Sequence, residues 1–284
     1  MRKDKRAISP AISTVILTAA GIVMILVAMS YANSTLTTQM AANEFSINKQ
    51  FMQTTALQID DIAWTIGRTQ TISYSTKFGS MKFEQLALNY SFQVHTSSGW
   101  ETLAGPGETG IILYNMPVSA YSLGNNYLER LPQSANSSFL LANSSAPVSQ
   151  VLCVERLPMP DGSYARIVVA PTLRMLSSTI TVSQQNSTSY LKFYLPTLEN
   201  GTSHYFSQAL TLTGGGITKL TRSGVDQVRI NVSFLKATPA GFDSSFFNFK
   251  STSVTLNSTT SPTIPANSVI EFYYGKVAVT IGQV

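Results

Sequence analysis

The sequence predicts an α+β chain: a long N-terminal α-helix over residues 8-67, then a large antiparallel β-sandwich-like head over residues 68-284. Three observations predict it. No residue between Arg6 and Glu44 is charged, and Ile8 to Ala32 is mostly apolar. No proline falls between Pro10 and Pro106, and no glycine between Gly21 and Gly67, so nothing punctuates a helix there. From Thr69 onward, short runs rich in Val, Ile, Thr, Tyr and Phe alternate with Gly, Pro, Asn and Ser, which is strand-and-turn composition.

The first element is a basic leader, residues 1-7, MRKDKRA. The net charge of the chain is +5; Arg2, Lys3, Lys5 and Arg6 against Asp4 carry +3, which leaves +2 for everything else. The basic character therefore belongs mainly to the leader. With no basic patch interleaved with aromatics, nucleic acid is not an expected partner.

The apolar stretch comes directly after the leader. About 20 apolar residues cross a bilayer as a helix, and Ile8 to Ala28 supply that length. Cations ahead of the span predict a cytoplasmic N-terminus and an exterior C-terminus. Ser9-Pro10 reads as a helix start, Ser as a favoured N-cap and Pro as a first helical residue that loses no needed hydrogen bond. Ser30-Tyr31-Ala32 resembles a signal-peptidase site, so a cleaved signal is one alternative and an uncleaved anchor another. Against the first, the apolar run is about twice a usual signal core of roughly 7–15 residues.

Helical periodicity continues past Ala32. Leu36, Met40, Ile47, Phe51, Ile62 and Ile66 form one apolar set, and Phe45, Met52, Ala56, Ile59 and Ala63 an adjacent one. One helix from about Ser9 to about Ile66 would be roughly 85 Å long. The Asn33-Ser34-Thr35 and Thr37-Thr38 stretch is its weak point, since these residues favour caps over helix interiors. Such a helix suits two environments, lipid first and then a bundle of copies of itself, with its second half packed on a globular head.

Lys5-Arg6-Ala7-Ile8-Ser9-Pro10-Ala11-Ile12-Ser13-Thr14-Val15-Ile16-Leu17 resembles the N-terminal region of archaeal type IV pilins, which carry a class III signal peptide. The resemblance covers about the first 65 residues and is silent on the head. It implies cleavage by a prepilin peptidase between Ala7 and Ile8, with Arg6, Ala7 and Ile8 as the processing residues. It also implies a pilus assembly machinery as partner, and a filament core built from Ile8, Ile12, Val15, Ile16, Leu17, Ile22, Val23, Ile25 and Leu26. Bacterial pilins usually carry a glutamate five residues into the mature chain; here that position is Ile12, which fits the archaeal type. The implied protein is a structural subunit of a surface filament, held in the membrane by this helix before assembly. A single-pass surface protein whose head binds a surface-layer or cell-surface partner is the alternative.

In the head, strands are expected at Thr71–Thr76, Gly110–Tyr114, Gln150–Arg156, Tyr164–Ala170, Thr179–Ser183, Tyr190–Leu195, Gln208–Leu212, Gln227–Phe234, Ser268–Tyr274 and Lys276–Ile281. Pro158 to Gly162 reads as a turn and Gly214-Gly215-Gly216 as a turn or a subunit joint. Val228, Ile230 and Val232 alternate with Arg229, Asn231 and Ser233, the pattern of a half-buried strand.

Eight asparagines open Asn-x-Ser/Thr, more than the Ser/Thr content gives by chance. Asn89, Asn136, Asn143, Asn186, Asn200, Asn231 and Asn257 are candidates for N-linked glycans on an exterior surface. Asn33 is not, because a glycan at the membrane exit would obstruct bundling. The only cysteine, Cys153, sits among Val151, Leu152 and Val154, so no disulfide forms within the chain and the thiol reads as a small buried hydrophobe. His95 and His204 lie far apart without metal-ligand spacing, and Asp60-Asp61 reads as a solvated face or an intersubunit contact. No catalytic residue, metal or cofactor is expected, and the chain is not expected to be an enzyme.

Overall fold

The computed structural model describes residues 8–131, 141–142, 147–183, 186–201, 208–249 and 251–282. Helix α1 runs Ile8–Ile62. The strands are β1 Thr69–Ser73, β2 Ser80–Thr96, β3 Gly99–Leu103, β4 Glu108–Pro117, β5 Tyr127–Leu131, β6 Leu141–Ala142, β7 Ser149–Glu155, β8 Tyr164–Pro171, β9 Leu173–Ser183, β10 Asn186–Asn200, β11 Ala209–Val225, β12 Gln227–Ser233, β13 Ser253–Leu256 and β14 Ser268–Gly282. A single short helix, α2 Ala237–Ala240, lies between β12 and β13. The architecture is thus one long N-terminal helix and then a β-rich domain. The chain divides into two compact units between Asn43 and Glu44, so the last turns of α1 belong to the β-rich unit.

The strands form two curled sheets. One has six strands in the order β1-β11-β14-β10-β9-β6, the other eight, β13-β12-β2-β4-β8-β7-β5 with β3 also on β2. The chain passes from the second sheet to the first between Pro171 and Leu173, where buried Thr172 donates its N–H to Val148 O at 2.8 Å. The core draws on both sheets: Phe92 of β2 meets Phe272 of β14 at 4.8 Å between ring centroids, and Phe272 stacks on Phe193 of β10 at 4.9 Å. Aromatic pairs at this spacing add to the area they bury.

The sheets are mixed, which corrects the expectation of an antiparallel head. β10 and β14 run parallel from the Tyr190–Val269 pair to the Asn200–Val279 pair, and β6 is parallel to β9. Parallel neighbours need a long crossover. Here the intervening chain supplies β11, β12, α2 and β13, and a turn-by-turn sequence reading does not see a pairing across that distance.

Two glycine positions also depart from the expectation. Ser268–Tyr274 and Lys276–Ile281 are one strand, β14, which passes straight through Gly275. Gly214 to Gly216 lie inside β11, at a register shift against β14 between Gly214 and Ile217. The shift is a β-bulge, which tolerates glycine and bends the strand. Strand β2 has no counterpart among the expected strands. Lys82, Glu84 and Gln85 hide its alternation, and a bulge around Leu86, at φ 56°, interrupts its pairing with β4.

Candidate assembly helix

In the first unit, α1 presents apolar side chains outward all round. Ile12, Val15, Ile16, Leu17, Ile22, Val23, Ile25 and Leu26 are each between 53% and 76% exposed, far beyond what a soluble helix leaves uncovered. Among the described residues this is the one helix long and apolar enough to cross a membrane. Ile8 opens α1; Arg6 and Ala7 lie outside the described residues. Exposed apolar area is unfavourable in water by about 25 cal/mol per Å², which suits this surface to a membrane span.

The Thr-rich stretch stays helical by a specific device. Thr35, Thr37 and Thr38 donate their hydroxyls to the carbonyls of Tyr31, Asn33 and Ser34 at 2.9, 2.8 and 3.1 Å. Each bond returns to the residue four back, which keeps the polar group inside the helix instead of capping it.

In the second unit the remainder of α1, from Glu44 to Ile62, lies on the sheets. Phe45, Asn48, Met52, Thr55, Ala56, Ile59 and Ile62 are buried, continued by Ala63, at the 3-4 spacing of one helix face. The second of the two apolar sets in the sequence, with Ile62 of the first, makes this seam. Ile47 of the first set stays 62% exposed, as does Leu57 at 60%. Phe45 packs against Tyr121 and Tyr114, with ring centroids 5.4 and 6.2 Å apart.

Glu44 fastens the start of this segment. Its carboxylate accepts hydrogen bonds from the backbone N–H groups of Lys77, Phe78 and Gly79 at 2.9, 3.1 and 3.0 Å, and from the Tyr114 hydroxyl at 2.8 Å. Burial pushes the Glu44 carboxyl up, but the bonds from Gly79, Tyr114, Lys77 and Phe78 outweigh it and hold the group below its ordinary value. The same contact, after burial, drives the Tyr114 phenol upward. Further along, Lys49 donates to Glu129 Oε2 of β5 at 2.7 Å. That bond overcomes the burial of both groups, raising the lysine and lowering the glutamate.

The end of the segment is set by close approach. Thr65 donates to Ile62 O, and Gly67, at φ 79°, donates to Gly214 O of β11 at 2.8 Å. A Cβ on Gly214 would fall 2.7 Å from Ile62 O and nearer still to Thr65 O, and one on Gly275 would meet Ala63 O and lie 2.9 Å from the Trp64 ring. These glycines let the backbone at the end of α1 touch sheet backbone. Asp60 accepts from Arg174 at 2.8 Å and from Trp64 Nε1 at 3.1 Å, while Asp61 pairs with Arg68 at 2.6 Å. Both aspartates thus have partners within the chain, a role the sequence reading did not assign.

The other candidates scatter. Asn200 is exposed, Asn89, Asn231 and Asn257 are partly exposed, and Asn33 is exposed on α1. Asn136 and Asn143 lie outside the described residues, as does His204; Asn186 belongs to β10 by its backbone, and its side chain is outside the description. Cys153 is buried and its thiol is pushed up to about 12, chiefly by desolvation. His95 shares a 2.8 Å hydrogen bond with Asp226. Among the described residues no group of three His, Cys, Asp or Glu could hold a metal ion. The chain matches no protein family, no curated protein and no solved structure.

Proposed function

We propose that this chain is a structural subunit of an archaeal type IV pilus-like surface filament, polymerising through its apolar N-terminal helix after the leader is removed between Ala7 and Ile8. The observation that carries the reading is the helix itself. Its first unit is apolar and uncovered over Ile12 to Met29, and a later stretch of the same element is seated in a β-rich unit by Glu44, Lys49 and the buried seam. In the membrane the uncovered surface faces lipid. In the filament, copies of Ile12, Val15, Ile16, Leu17, Ile22, Val23, Ile25 and Leu26 cover one another, and a contact between unlike patches repeats without closing. The two sheets are read as one sandwich facing outward, carrying N-linked glycans on its sequons.

The test is N-terminal sequencing of the chain from sheared surface filaments. The expected mature terminus is Ile8. A terminus at Met1 or Asn33, or absence of the chain from the sheared fraction, overturns the proposal. A chain that keeps Met1 and is released only by detergent is instead the single-pass surface protein, whose anchor would use the same exposed helix.

A further inference from the structure

The outer face of the eight-stranded sheet carries a built arrangement that the filament reading does not use. Register fixes it. His95 pairs with Trp100 across β2 and β3, while Arg229 pairs with Gln93 on one side and Thr255 on the other. Gln93 in turn pairs with Thr102, so these side chains lie on one face in two adjoining rows. The lower row is hydrogen-bonded across four strands: Arg229 Nε to Thr255 at 3.5 Å, Arg229 Nη1 to Gln93 Oε1 at 3.3 Å, and Gln93 Nε2 to Thr102 at 3.3 Å.

Trp100 is held above this row. The Arg229 guanidinium lies 4.3 Å from the centre of its ring and the His95 ring 5.1 Å away, yet 41% of the residue is open to solvent. A large, rigid, half-open aromatic beside amide, hydroxyl and guanidinium groups matches the alternating apolar and hydroxylated faces of a sugar ring. Charge narrows the class. Arg229 has no carboxylate within 4.0 Å among the described residues, whereas the neighbouring Arg222 pairs with Glu101 at 2.8 Å; Asp226 shares a 2.8 Å hydrogen bond with His95. Arg229 is thus a cation on this face with no carboxylate partner among the described residues, and a carboxylate would complement it. Nucleic acid is a poor match, because no cluster of cations joins Arg229.

We infer that Trp100 and Arg229 form a binding platform for an acidic saccharide of another surface, a uronic-acid-bearing glycan, with Trp100 stacking on the ring and Arg229 taking its carboxylate. This goes beyond the filament reading and does not depend on it.

The test uses the full chain in detergent, titrated with an oligogalacturonate and with a neutral malto-oligosaccharide of equal length, monitored by calorimetry and tryptophan fluorescence. The oligogalacturonate should bind saturably and at least about tenfold tighter than the neutral sugar, the size of a charge-assisted hydrogen bond. Arg229→Gln should abolish that preference, Trp100→Ala should abolish binding of both, and Trp100→Phe should retain the preference. Matching unfolding midpoints establish that the variants are folded. Absence of saturable binding, equal binding of the two sugars, or undiminished binding by folded Trp100→Ala overturns the inference.

Discussion

Replacing Glu44 tests how the β-rich unit holds its helix. The Glu44 carboxylate accepts from three consecutive backbone N–H groups and from Tyr114, all between 2.8 and 3.1 Å. A hydrogen bond to a charged group contributes about 1.5–3 kcal/mol. The residue is partly exposed, so water reaches the vacated donors in a truncated variant and the losses do not sum. Glu44→Ala should cost about 2–4 kcal/mol and Glu44→Gln about 1–2, because the amide keeps one acceptor but turns its N–H₂ toward donors. The assay is denaturant unfolding of the full chain in detergent, monitored by the fluorescence of Trp64 and Trp100, with the midpoint shift read at constant slope. The pH dependence adds a second condition. The folded carboxyl is held below its ordinary 4.5. Its contribution is thus complete above that ordinary value and is lost as pH falls through the lower folded value. The gap between wild type and Glu44→Gln should therefore be full at pH 7 and shrink in strong acid. A Glu44→Ala variant within about 0.5 kcal/mol of wild type at pH 7, or a Gln gap that does not shrink with acid, refutes the clamp.

Three further outcomes rest on contacts of the same kind. Gly275→Ala and Gly214→Ala should each destabilise by more than about 2 kcal/mol, since the new methyl meets helix backbone, whereas Gly216→Ala has nothing within 4 Å and should stay within about 0.5 kcal/mol by the same unfolding assay. Met52→Ala should cost about 2–5 kcal/mol because the residue is fully buried in the seam; exposed Ile47→Ala should cost under about 1 kcal/mol, and a loss of filament yield with unchanged stability would mark Ile47 as a contact between copies. Cys153, pushed up to about 12, should resist maleimide at pH 8 in the folded chain and react promptly once unfolded; rapid labelling of the native chain would contradict its burial.

Much of this molecule is legible without coordinates. A long run with helical periodicity and no interior proline reads as a helix, because periodicity and the missing punctuation act locally. The same holds for β7, β8 and β12, whose β-branched runs are bounded by turn residues close in sequence, and for the Pro158 to Gly162 turn, where Gly162 takes φ 129°. The features that the chain alone left open are decided at long range. Glu44 stands out in the sequence as the first charge after Arg6, but its partners lie 33 to 70 residues away. Gly214 and Gly275 read as breaks in strands until the helix end is laid on them, and the two apolar sets of α1 are equivalent until the sheets cover the second together with Ile62. Trp100 and Arg229 are 129 positions apart in number and share a face only through the registers of β2, β3 and β12. By itself the sequence determined the helix, its apolar first part and the β-rich character of the remaining chain, because backbone preference and hydrophobic pattern are properties of neighbours. The tertiary structure alone decided the sheet order, the parallel β10–β14 pair, the helix clamp and the aromatic platform, because each is a contact whose partners the chain brings together only by folding.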